Sequence, residues 1–184
     1  NSFTSCPSLT SVVIGDSVTE IGPQAFITCP DLTSIVIPNS VLYIDTEAFG
    51  GCENVTSLVI GDSVTEIGES AFVQCTSLTS VVIGDSVETL RNSAFQDCTS
   101  LTSVDIPDSV TSLGDVAGGN CFELCTSLTS VVIGNGVRAI GQGTFNECTG
   151  LISVVIGDSV TYIHSEAFRM CTSLTSVVIP DSVT

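Results

Sequence analysis

Apolar and polar positions alternate in short runs along this chain, and each run ends at the same kind of residue. In Leu78-Thr79-Ser80-Val81-Val82-Ile83 the β-branched residues dominate and Gly84 stops the run, which predicts a strand. Leu78, Val81 and Ile83 are expected to point inward, and Ser80 and Val82 to point outward. The same word recurs every 23 residues, marked by Cys6, Cys29, Cys52, Cys75 and Cys98, and then by Cys125, Cys148 and Cys171 after one interval of 27. A fixed period of this length predicts a solenoid, because one unit cannot bury its own apolar side and must lie on its neighbours. Equivalent strands are therefore expected side by side and parallel, roughly 4.8 Å apart.

The rest of the unit is read row by row. The strand is followed by Gly15, Pro38, Gly61, Gly84, Pro107, Gly134, Gly157 or Pro180. Proline fixes φ near −65°, so this row terminates the strand and does not require a left-handed backbone. Asp-Ser comes next and suits a turn. Val-x-x-Ile, as in Val64 to Ile67, has the spacing of a second short strand. The unit closes on x-x-Ala-Phe-x-x-Cys, too short for an independent helix, which predicts one helical or 3-10 turn. All eight phenylalanines fall in that row, at positions 3, 26, 49, 72, 95, 122, 145 and 168, and are expected to stack as a spine. Burial of each ring contributes roughly 2 to 3 kcal/mol before entropy is counted. The chain reads as one domain, 1–184, of about eight repeats without terminal caps, with a four-residue insertion at Asp115-Val116-Ala117-Gly118.

Charge narrows the partners. The chain carries 20 acidic residues against three arginines and no lysine, a formal net charge of −17, so nucleic acid and anionic membrane are excluded as partners. No run of 18 apolar residues exists, which excludes membrane insertion by a helix.

Candidate chemistry is weighed column by column. Eight of the nine cysteines form a single column, expected to fill the core as small, weakly polar residues. Zinc needs ligands that converge, and Cys121-Phe-Glu-Leu-Cys125 has no companion pair, so no metal site and no cofactor is expected. His164 stands in a bend row and is read as an exposed turn residue. The turn aspartates Asp16, Asp62, Asp85, Asp108, Asp158 and Asp181 are read as hydrated turn caps, with weak calcium binding as the alternative. Asn54-Val55-Thr56 is an N-glycosylation sequon. Like groups repeated along a line do not assemble the unlike groups of a catalytic cleft, so the chain is expected not to be an enzyme.

The candidate binding surface is the outward strand face, with Ser34, Val36, Ser57, Val59, Ser80, Val82, Ser103, Ser130, Val132, Ser153 and Val155 in two rows. Asp105 interrupts the valine row once, and a threonine row beginning at Thr10 lies at the edge. Such identical rungs suit a structural role or a partner that is itself periodic.

The pattern L-x-x-V-x-I-G/P-x-S-V-x-x-I-G-x-x-A-F-x-x-C resembles the BspA-like class of leucine-rich repeats across essentially the whole chain. The resemblance implies an α/β solenoid, a right-handed superhelix with the parallel sheet on its concave face and the helical turns on the other side. It also implies a nonenzymatic secreted or cell-surface protein, extracellular, adhesive or structural, that contacts a protein or glycan partner. Two other functions remain open on the residues: a filament built by head-to-tail stacking of uncapped ends, and ice binding by the regular Ser, Thr and Val rows.

Overall fold

The computed structural model describes residues 2–114 and 118–184, and within them the chain is a parallel β-solenoid of leucine-rich-repeat type. One wall is a six-stranded parallel sheet made of β2 (Ser34–Ile37), β4 (Ser57–Ile60), β6 (Ser80–Val82), β8 (Ser103–Ile106), β10 (Ser130–Ile133) and β12 (Ser153–Val155). The second wall is a seven-stranded sheet of two-residue strands, β1 (Glu20–Ile21), β3 (Tyr43–Ile44), β5 (Glu66–Ile67), β7 (Thr89–Leu90), β9 (Ser112–Leu113), β11 (Ala139–Ile140) and β13 (Tyr162–Ile163). Register is the repeat itself: Ser34 pairs with Ser57, Val36 with Val59 and Ile44 with Ile67. The Val-x-x-Ile segment therefore does form a second strand.

The third wall differs from the sequence expectation. The x-x-Ala-Phe-x-x-Cys segment is neither helical nor 3-10, and among the described residues the chain has no helix. The cause lies in the backbone hydrogen bonds. Ala25 and Ile27 donate locally, to Gly22 and Gln24, whereas Gln24, Phe26 and Thr28 donate to Thr46, Ala48 and Gly50 of the next coil at 2.9, 2.7 and 2.7 Å. Alternate N–H groups thus leave the segment, which a helix forbids. To aim them outward, the residues just before Ala and just before Cys take positive φ: Gln24 (54°) and Thr28 (57°), Ser70 (55°) and Gln74 (58°), Ser93 (57°) and Asp97 (61°). Positive φ is costly for residues other than glycine, and it persists here because each such residue donates its N–H to the next coil, Ser70 to Asn92 and Gln74 to Gln96 both at 2.9 Å.

Between the walls lies one continuous apolar core running from Ile21 to Ala167. Leu78 and Ile83 are buried, and Val81 is partly exposed. The phenylalanines form the expected spine, with neighbouring ring centroids 5.0 to 5.5 Å apart and planes within 10° of parallel. Phe49, Phe72, Phe95, Phe122 and Phe145 are fully buried, whereas Phe3 is half exposed. Of the insertion, Asp115, Val116 and Ala117 lie outside the described residues; Gly118 has φ 117°. Cys121, standing where other units carry Ala, is fully buried, and its carbonyl accepts from Phe95 N–H at 2.9 Å, as Ala94 accepts from Phe72.

Replacing Phe95 by alanine removes an inner ring of the stack and should lower the unfolding free energy by about 3 to 5 kcal/mol. The same change at the half-exposed Phe3 should cost less than half of that. Guanidinium unfolding of both variants checks the order.

Candidate functional site

The six-stranded wall presents the rows that the sequence singles out. Ser34, Ser57, Ser80, Ser103 and Ser153 are exposed, Ser130 is half-buried, and Val36, Val59, Val82, Val132 and Val155 stand out into solvent. The cause is the pleat: Ile35, Leu58, Val104 and Val131, one residue away along each strand, are buried to within 2 %. The wall brings all eleven candidate residues onto one surface, and Asp105 is the single charged residue in its serine and valine rows. On a chain of net charge −17 this leaves a face whose serine and valine rows hold almost no charge and a stripe of exposed apolar side chains.

The neighbouring threonine row is less available. Each hydroxyl donates to the carbonyl of the threonine one coil earlier: Thr56 to Thr33 at 3.3 Å, Thr79 to Thr56 at 2.9 Å, Thr102 to Thr79 at 3.2 Å and Thr129 to Thr102 at 3.0 Å. These donors are consumed in holding coils together and are not free for a ligand. Asn54 of the sequon is exposed in the turn before β4, and Thr56 of the same sequon belongs to this ladder.

The other columns have structural work. All nine cysteines are free thiols. In the column, Cys52 donates to the Phe26 carbonyl at 3.3 Å, Cys98 to Phe72 at 3.4 Å, Cys125 to Phe95 at 3.3 Å and Cys148 to Phe122 at 3.1 Å, so each thiol caps the phenylalanine of the coil before. Burial pushes the thiols up from their ordinary value of 9.0, Cys52 and Cys121 to about 12 and Cys171 to about 11, while Cys75, Cys98, Cys125 and Cys148 are raised as well. They are neutral donors at neutral pH.

Turn residues also relay between coils: Asn39 Oδ1 accepts from Asp62 N–H at 2.9 Å, Asp108 Oδ1 from Asn135 N–H at 2.7 Å and Asn135 Oδ1 from Asp158 N–H at 3.0 Å. Among the described residues no three His, Cys, Asp or Glu side chains converge as metal ligands. His164, expected to be exposed, is half-buried and sits edge-on against Tyr162, with centroids 4.4 Å apart.

Beside the second wall lies an open cleft of about 480 Å³ lined by Glu20, Tyr43, Asp45, Glu66, Glu69 and Arg91, with Arg91 Nε 2.8 Å from Glu66 Oε1. Its signal in the sequence is irregularity: Asp45 and Arg91 occupy a row otherwise rich in glycine.

This architecture agrees with the comparisons to known proteins. Residues 1–121 and 117–184 match the family described as BspA type Leucine rich repeat region (6 copies), and the chain belongs to that family. A crystal structure of a leucine-rich-repeat protein from T. pallidum is 31 % identical, with a TM-score of 0.80 over 86 % of this chain and 72 % of that one. A leucine-rich cell surface protein from Faecalibacterium prausnitzii is 26 % identical, with a TM-score of 0.56 over 99 % of this chain and 70 % of that one. A leucine-rich-repeat protein from Bacteroides ovatus is 25 % identical, with a TM-score of 0.60 over 98 % and 63 % of the two chains. No curated protein matches the chain. No helix among the described residues is long and apolar enough to cross a membrane.

The raised thiols give stability a defined pH dependence. Below pH 9 the column is protonated both folded and unfolded, and its contribution is complete. Above 9 the unfolded thiols ionise while the folded ones do not, so the unfolded state binds fewer protons and stability falls toward pH 12. Thermal unfolding between pH 7 and 11 should show that decline, and a Cys52→Ala, Cys75→Ala, Cys98→Ala variant should show a shallower one.

Proposed function

We propose that this chain is a nonenzymatic binding module of the secreted or cell-surface kind, and that the serine and valine rows of the six-stranded wall are its contact surface for a protein or glycan partner. The observation that carries this reading is the nearly uncharged face, with Asp105 its one charge, and the exposed valine stripe on a strongly acidic molecule. Acidic side chains elsewhere keep the molecule soluble, so the stripe stays exposed without bringing copies together indiscriminately. The family supports the reading, as does a relative described as a leucine-rich cell surface protein. Repeat proteins bind through extended surfaces made of equivalent rungs, and here Ser103, Ser130 and Val132 continue the same rows as Ser34 and Val36. In a eukaryotic secretory host, Asn54 would accept a glycan on the turn before β4, clear of those rows.

Substituting Val59, Val82 and Val132 by lysine places three cations on the stripe without touching the core. Binding of the purified chain to arrays of immobilised extracellular-matrix proteins and of glycans should fall at least tenfold, with circular dichroism unchanged. Retention of every contact by the triple variant would count against this face.

A further inference from the structure

The row that ends each strand reads Gly15, Pro38, Gly61, Gly84, Pro107, Gly134, Gly157, Pro180, with proline in every third coil. The inter-coil bonds of the six-stranded wall follow the same beat. Between the coils of Pro38 and Gly61 four residue pairs are in register, between Pro107 and Gly134 again four, and between Gly134 and Gly157 three. Between Gly84 and Pro107 only Ser80 and Ser103 remain paired. The bond at the strand entry tells the same story. It measures 3.0 Å from Thr56 to Thr33, 3.0 Å from Thr79 to Thr56 and 2.9 Å from Thr129 to Thr102, but 3.3 Å from Thr102 to Thr79 and 3.4 Å from Thr33 to Thr10, two of the three interfaces that lead into a proline coil.

Two properties of proline account for this. Where glycine follows proline, Gly134 N–H donates to the Ile106 carbonyl at 2.9 Å; Pro107 has no N–H to offer Ile83. At the glycine coils there is also no room for a side chain. A Cβ on Gly84 would lie 2.4 Å from the Gly61 carbonyl oxygen, and one on Gly134 would lie 2.7 Å from the Ile106 oxygen. A proline on this row must lift its coil off the one before. The insertion is not the cause, because the Pro107 coil that contains it is fully paired with the Gly134 coil.

The opening is confined to one wall. Across the same Gly84–Pro107 interface, β7 and β9 stay in register, Phe95 N–H reaches the Cys121 carbonyl at 2.9 Å and the Phe95 and Phe122 rings stack at 5.3 Å. A side chain replaces part of the lost bonding, since Ser109 Oγ donates to the Val87 carbonyl at 2.7 Å, and Ser182 Oγ to Val160 at 2.6 Å in the coil of Pro180. Exposure of the valine stripe records the blocks directly: Val36, Val59 and Val82 are 61, 42 and 59 % exposed, and Val132 and Val155 are 42 and 59 %, so valines beside a seam have lost one neighbour.

We infer that the prolines at every third coil are hinges in the strand wall, dividing it into three-coil blocks that tilt about the continuous phenylalanine spine. This goes beyond the proposed contact role: the face becomes an adjustable surface whose curvature changes in steps of one block, with Ser109 as the strap across the central hinge.

Hydrogen–deuterium exchange of the intact chain, read by mass spectrometry on peptides, tests this. Peptides covering 80–83 and 103–106 should exchange on the order of tenfold faster than those covering 57–60 and 130–133, whose strands are paired on both sides. Pro107→Gly should slow the seam toward the paired interfaces, and Ser109→Ala should speed it further, with the 34–37 and 57–60 peptides unchanged. Equal exchange at the seam and the paired interfaces in the unaltered chain would overturn the inference, whatever the variants do. So would a folded Pro107→Gly chain whose seam exchanges as fast as before.

Discussion

Contact between one coil and the next is what everything else in this molecule depends on. The inter-coil backbone bonds of all three walls, the strand-edge threonine hydroxyls, the turn amides and the cysteine thiols find their partners 22 to 30 residues away, in the adjoining coil. A coil taken alone would leave its phenylalanine exposed, its left-handed residues unsupported and most of its polar backbone unpaired. Stability is then a sum of neighbour interfaces and not the property of any unit, and the identical rows are a consequence, because each interface sets the same demands on the next.

The same constraint decides which residues are free to act. Cysteine in the column is small enough for a tight core and has a weak donor for the phenylalanine carbonyl, a combination that neither alanine nor valine supplies. Threonine at the strand edge is spent in a similar way. What stacking leaves over on the six-stranded wall is the outward serine and valine rows, the face proposed above as the contact surface.

The strand, the second strand, the phenylalanine spine and the thiol column were legible in the sequence because each is dictated by apolarity or by turn chemistry repeated eight times. The closing turn was not. Its left-handed sites are held by Gln24, Thr28, Glu47 and Leu124 as well as by Gly51 and Gly143, so no residue type announces them. They arise from hydrogen bonds to a neighbouring coil, which a local reading of x-x-Ala-Phe-x-x-Cys has no means of weighing. Glycine after the strand was legible as a terminator, yet its stricter requirement, the close approach of the preceding backbone, appears only once coils are stacked. On the face itself, the rows were readable from alternation alone, whereas the commitment of the threonine hydroxyls and the cleft beside Tyr43 needed three dimensions.

The most direct measurement is the equilibrium unfolding of a variant lacking residues 52–74, in which Gly51 runs into Cys75 and one whole coil is removed without disturbing any row. The expected result is a folded, cooperative chain whose denaturant slope and unfolding free energy fall by about one coil's share of the whole. Collapse to an unfolded chain, or no loss of stability at all, would contradict the dependence of each coil on its neighbours.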